Sequence, residues 1–265
     1  MATTPDAFYL PLGEQRFRAT AATIGPWDPR LQHGSPPAAL LARAVEQTLA
    51  RPAASPARIA HLAYDFFGPV PAGDLTVVAE VVRPGARIER SRARLEVDGR
   101  LCMAARVWRI AAAPDRAPPV LPSLTPPPPP PPRAQALFVD VPSFGYGEAL
   151  EWRFAEGAFD RPGPAAVWTR PRIPLLPGEE PSPLGRLLLM VDSANGISAE
   201  LPPSKYTFVP VELTVAVERH PRTEWVGMRA RTTIEPDGIG LTRADLFDEE
   251  GLLGVAGQTL FVAPR

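Results

Sequence analysis

Residues Pro126 to Pro132 are seven prolines in succession, and nothing else in the chain restricts its folding so sharply. Proline has no amide hydrogen and a fixed φ, so such a run enters neither an α-helix interior nor a central strand. It forms a polyproline II rod, rising about 3.1 Å per residue without internal hydrogen bonds. The run lies midway along a chain of 265 residues holding 36 prolines. That length is generous for a single domain. The rod therefore reads as a spacer, with one module over residues 1–117, a linker over 118–136 and a second module over 137–265. The other reading is a ligand for an aromatic groove in another protein.

One order of elements is legible on both sides of the rod. A strand candidate, Arg16 to Ile24, precedes Ser35-Pro36-Pro37, a helix start in which the serine hydroxyl caps and proline fits the first turn. Leu40, Leu41, Ala44, Val45 and Thr48 then mark one face of a helix. Strand patterns follow at Ile59–Phe67, Leu75–Val82, Arg87–Val97 and Leu101–Ile110, with a hairpin signal at Asp98-Gly99. The second half offers a helix over Pro183–Asp192, then strands at Val209–Val217, Trp225–Ile234, Gly240–Phe247 and Leu252–Val262. One helix against an antiparallel meander is an α+β layout. The spacing aligns Glu46 with Asp192 and Arg106 with Gln258.

Composition narrows the function classes. With 28 basic and 29 acidic residues and no basic stripe, nucleic acid is a poor partner. The N-terminus has no signal-peptide pattern and no stretch approaches the ~20 apolar residues of a membrane span, so no membrane insertion and a cytoplasmic location are expected. The single cysteine, Cys102, sits in an apolar run and reads as a small core residue; no intrachain disulfide or cysteine-rich metal site can form. Gly-x-Ser-x-Gly is absent, as are the phosphate-binding and dinucleotide glycine loops.

Two regions resemble the double-hotdog acyl-CoA thioesterase family of the thioesterase-like superfamily. One is His33-Gly34-Ser35-Pro36-Pro37-Ala38-Ala39-Leu40-Leu41; the other runs from Glu235-Pro236-Asp237-Gly238 through Asp248-Glu249-Glu250-Gly251 to Gln258-Thr259-Leu260. The resemblance implies a double hotdog: two modules, each a long helix wrapped by an antiparallel sheet, joined into one continuous sheet. It further implies hydrolysis of an acyl-CoA to free acid and CoA without metal or organic cofactor. Three residues of the second module, an aspartate, a threonine and a glutamine, would activate the water. Asp192 and Gln258 match two of them; Pro210 stands where the threonine is expected. A homo-oligomer is common for the fold.

The residues support that assignment on their own terms. Asp192 interrupts the apolar run Leu187–Val191, so its carboxylate ends the helix in solvent or sits in a polar site. A carboxylate and an amide can hold one water between them. His33 and Gly34 precede the first helix, where backbone amides suit a thioester oxygen, making them candidate substrate-binding residues. His61 and His220 have no ligand-spaced partners, and Asp65 and Glu212 read as structural polar residues on strands. The alternative to an enzyme is a non-catalytic acyl-CoA or acyl-chain binding hotdog protein, which Pro210 favours.

Overall fold

The computed structural model describes residues 5–48, 57–113 and 143–265, with 116–118, 120, 126, 127 and 130 between them. The linker expectation over 118–136 lies largely outside the described residues. Strand β5, Ile88–Val97, shows the governing pattern: Ser91, Ala93, Leu95 and Val97 are buried while Arg92 and Arg94 face solvent. A strand with that period two must bury one face, and here the face meets helices.

The first half runs β1 (Tyr9–Pro11), β2 (Arg16–Ala19), α1 (Ser35–Gln47), β3 (Ala57–Phe66), β4 (Asp74–Arg83), β5 and β6 (Arg100–Ala111). The second half runs α2 (Gly145–Ala149), β7 (Leu150–Ala158), β8 (Arg161–Pro171), α3 (Pro183–Val191), α4 (Ala194–Ile197), β9 (Tyr206–Val217), β10 (Val226–Ile234), β11 (Ile239–Asp248) and β12 (Gly251–Pro264). The twelve strands of the described residues form one sheet in the order β1-β2-β4-β5-β6-β3-β9-β12-β11-β10-β8-β7, which mirrors about its centre. Every pairing is antiparallel. The seam joins β3 to β9, from His61 opposite Ala216 to Asp65 opposite Glu212. Helices α1 and α3 lie against each other and bury Leu40, Leu41, Leu187, Leu188 and Leu189 on the sheet. This is the double-hotdog arrangement.

Several local expectations change. The strand expected over Arg16–Ile24 stops at Ala19, because the Thr20 hydroxyl accepts the Ala22 amide and starts a 3-10 turn over Ala21–Thr23. Ser35 is the first helical residue of α1 and makes no cap; Gly34 precedes it. Ser182 does cap α3, accepting from the Gly185 amide at 2.9 Å. The hairpin β7–β8 carries no counterpart in the sequence reading.

The repeat register also shifts by one residue. A bulge falls at Cys102 in β6 and at Leu253 in β12. From that anchor Val107, opposite Leu62 and Ser91, corresponds to Gln258, opposite Leu213 and Thr242. Arg106, the counterpart expected from spacing, faces the other side of the sheet and lies 3.6 Å from Asp65. A slip of one residue exchanges the faces of a strand, so a 152-residue offset fails where 151 succeeds.

On the face away from the helices, Gly227 of β10 sits between Trp168 and Phe247, its partners on β8 and β11. Their rings meet edge to face at 4.9 Å. A Cβ at Gly227 would enter the Phe247 ring. Gly227→Ala should therefore lower unfolding free energy by about 1–3 kcal/mol through overpacking, read by urea denaturation; an unchanged midpoint would contradict the packing described.

Candidate active site

Asp192 closes α3, and the chain turns there into α4 through Ser193. The turn leaves the carboxylate 5% exposed, so it is not the solvated helix end that the sequence left open. Gln258 of β12 is fully buried. Its Nε2 donates to Asp192 Oδ1 at 2.9 Å and to the Asp192 backbone oxygen at 3.1 Å. Its Oε1 accepts the Asn195 amide at 3.1 Å. Both amide hydrogens are thereby used. The two side chains expected to hold a water between them instead touch directly, with Gln258 gripping Asp192 from behind.

The other half of the chain completes the site. The Asp192 amide donates to Ser35 Oγ at 3.1 Å, tying the end of α3 to the start of α1. This places Gly34 against the carboxylate: a Cβ on Gly34 would lie 2.5 Å from Asp192 Oδ2. The Gly34 amide faces that carboxylate and stabilises its charged form. His33 Nδ1 accepts the Ser35 amide at 3.1 Å, which leaves the ring proton on Nε2. Burial pushes the His33 pKa down to about 3, so the 3.7 Å approach of Nδ1 to Asp192 Oδ2 is a contact of a neutral ring and not an ion pair.

Tyr146 of α2 stacks on His33 with centroids 3.8 Å apart and planes 8° off parallel. Its hydroxyl donates to the Leu189 oxygen at 2.8 Å and meets Ser193 Oγ at 2.7 Å. With one proton on the phenol, Ser193 is the donor in that second bond. No local signal near Tyr146 announces this role. Ser193 and Asn195 were visible only as neighbours of Asp192.

Desolvation dominates the electrostatics. Burial raises the Asp192 pKa to about 7, against the opposing hydrogen bond from Gln258 and the Gly34 amide. Asp192, His33, Gly34, Ser193 and Asn195 open onto a cavity of about 590 Å³, whose remaining walls are mainly apolar, including Phe66, Phe144, Tyr146, Trp152, Phe159 and Phe208. Pro210 is in that wall and supplies no hydroxyl; Gln258 is not. His220 Nε2 lies 2.7 Å from the Ile59 oxygen, and Glu212 is engaged by Thr214 and Thr259. No group of metal-ligating side chains is found among the described residues, and no described helix is long and apolar enough to cross a membrane.

At the other end of the helix pair, Ser182 Oγ lies 3.3 Å from Glu46 Oε1. A serine at a helix start again meets an acid at a helix end, but this hydroxyl donates to the carboxylate whereas Ser35 accepts the Asp192 amide, and Val107 occupies the place of Gln258. The matched set of carboxylate and amide occurs once in the described residues.

Two tests follow from this geometry. Gly34→Ala should displace the Asp192 carboxylate and lower kcat at least tenfold, whereas unchanged turnover would mean the carboxylate is not needed where it stands. The second concerns stability. The folded Asp192 pKa of about 7 exceeds the ordinary aspartate value of 3.8, so the folded state holds this proton more tightly. The stabilising contribution is complete below about pH 4 and is lost as pH rises through 7. Asp192→Asn should remove that loss, giving a larger stability advantage over wild type at pH 8 than at pH 5; an equal difference at both would contradict the raised pKa.

Comparison with known proteins places the chain. Residues 23–110 match the acyl-CoA thioesterase N-terminal domain family and residues 114–262 match its C-terminal domain family. Among solved structures, a candidate thioesterase II from Thermobifida fusca is 18% identical with a TM-score of 0.72, covering 98% of both chains. The acyl-CoA thioesterase II of Mycobacterium marinum is 16% identical with a TM-score of 0.69, covering 97% of this chain and 95% of that one. A hotdog-fold protein from Alicyclobacillus acidocaldarius is 17% identical with a TM-score of 0.69, covering 97% of each. At these identities the structures speak to the fold. No curated protein matches the sequence. The two family matches span nearly the whole chain, which therefore belongs to the double-hotdog acyl-CoA thioesterase family and is a thioester hydrolase.

Proposed function

We propose that the protein hydrolyses an acyl-CoA thioester to free acid and CoA, with Asp192 as general base. The observation that carries this reading is a buried carboxylate on the cavity wall, gripped by Gln258, with a pKa of about 7. A base poised near the working pH is the most effective acceptor of a water proton. The ionised carboxylate takes one proton from a water in the cavity while the hydroxide oxygen forms a bond to the thioester carbon. The tetrahedral adduct then expels the thiolate as the C–S bond breaks, and the proton held by Asp192 passes to sulfur. Gln258 acts through Asp192, fixing the direction of its free lone pairs.

His33 and Gly34 were expected to face the carbonyl oxygen through the Gly34 amide. That amide faces Asp192, so the donor left over is His33 Nε2–H, whose tautomer the Ser35 amide sets. A neutral imidazole N–H can polarise a carbonyl without transferring its proton. The acyl group fits the aromatic side of the cavity.

Release of free thiol across a panel of acyl-CoAs tests the activity. Asp192→Asn and Gln258→Ala should each lower kcat by roughly 100- to 10,000-fold, and the double variant by little more than the worse single, since both changes disable one group. Glu46→Gln should leave the rate nearly unchanged. The kcat/KM profile should fall below about pH 7 as Asp192 protonates. Binding of acyl-CoA with no thiol released from any chain length would instead select a non-catalytic binding role, the reading favoured by Pro210.

A further inference from the structure

On the sheet face away from the helices, Trp168 is 1% exposed although it lies outside the core cluster that holds α1 and α3. Its strand neighbours Val167 and Ala165 belong to the helix-side core, so alternation sends the indole outward. It gathers there with Trp225 and Phe247 in a separate aromatic cluster. Arg153, directly opposite Trp168 on β7, lies over the Trp225 ring at 4.2 Å, and Arg170 does so at 4.9 Å. Glu151 Oε1 accepts from Arg153 Nε and Nη2 at 3.0 and 2.7 Å, which holds the guanidinium and leaves Nη1 pointing elsewhere.

Two donors of this surface reach the proline run. Trp168 Nε1 donates to the Pro127 oxygen at 3.0 Å, and Arg153 Nη1 donates to the Pro130 oxygen at 3.4 Å. The two acceptors are three residues apart. Three residues make one turn of polyproline II, so carbonyls at that spacing point to the same side, and neighbouring strands present the two donors together. An aromatic wall, an indole N–H and a Pro-x-x-Pro ligand are the elements by which proline-rich segments are recognised.

We propose that the outer face of β7, β8 and β10, walled by Trp168, Trp225 and Arg153, is a polyproline II-binding groove occupied by this chain's own proline run, held at Pro127 and Pro130. The run is then a ligand held in cis, not a free spacer. It shields a tryptophan cluster that would otherwise be an exposed apolar patch, a class of surface that invites association. This site lies on the opposite face from Asp192 and stands independently of the hydrolytic reading.

The test exchanges Pro126–Pro132 for a Gly/Ser sequence of equal length in the full chain. Tryptophan emission should shift to longer wavelength and acrylamide quenching should rise. A free heptaproline peptide should reverse both changes in the exchanged protein and bind wild type at least tenfold more weakly, because the groove there is filled. Adding Trp168→Phe to the exchanged protein removes the indole N–H and should weaken the peptide roughly 2- to 13-fold. Unchanged emission after the exchange, or a peptide that binds both proteins alike or neither, would overturn the proposal. If the exchanged chain does not fold, Arg153→Ala in the intact chain supplies the readout: quenching equal to wild type overturns the cis contact. Quenching that varies with protein concentration would place the run in a second copy and also overturn it.

Discussion

The antiparallel pairing of β3 with β9 determines most of what this molecule can do. It joins two helix-and-meander units edge to edge, and it forces their helices to run in opposite directions across the seam. Each helix then begins where the other ends: Ser35 meets Asp192, and Ser182 meets Glu46. A buried carboxylate at the end of one helix is thereby brought to the orphan amides at the start of the other. Neither unit alone contains both parts. The buried seam also removes the carboxylate from water, and that desolvation moves its pKa to about 7.

The two ends of the helix pair differ in chemistry. At one end Gln258 satisfies a nearly buried aspartate with two hydrogen bonds. At the other, apolar Val107 stands in the glutamine's place, and Glu46 reaches towards a serine hydroxyl near the Arg43–Glu179 ion pair. Burial raises the Glu46 pKa as well, but nearby cations oppose the shift. The two carboxylates therefore differ in which strand residue backs them, Gln258 or Val107.

Much of the architecture was legible because alternation and helical periodicity report burial directly. The meander strands from Ile59 to Ile110 and from Val209 to Val262 were recognisable within a few residues, and Asp192 stood out as a charge in an apolar helix. The hairpin β7–β8 escaped, since the helix that follows it dominated the reading of that half. Register escaped too: the bulges at Cys102 and Leu253 leave no mark in composition, and they decide whether Arg106 or Val107 answers Gln258. Ser35 illustrates a third limit. Its position predicted a cap for its own helix, but its hydroxyl serves an amide 157 residues away. Tyr146 is similar, for its stacking on His33 depends entirely on tertiary placement.

The single linked chain has a consequence for how such a site can change. In a dimer of identical subunits, any substitution appears twice, and a residue useful at one catalytic centre must be tolerated at its twin. Here the twin positions are separately encoded, so Glu46 and Val107 can vary without touching Asp192 and Gln258. The price of symmetry is lifted: one end of the helix pair can acquire another use while the other keeps its own geometry.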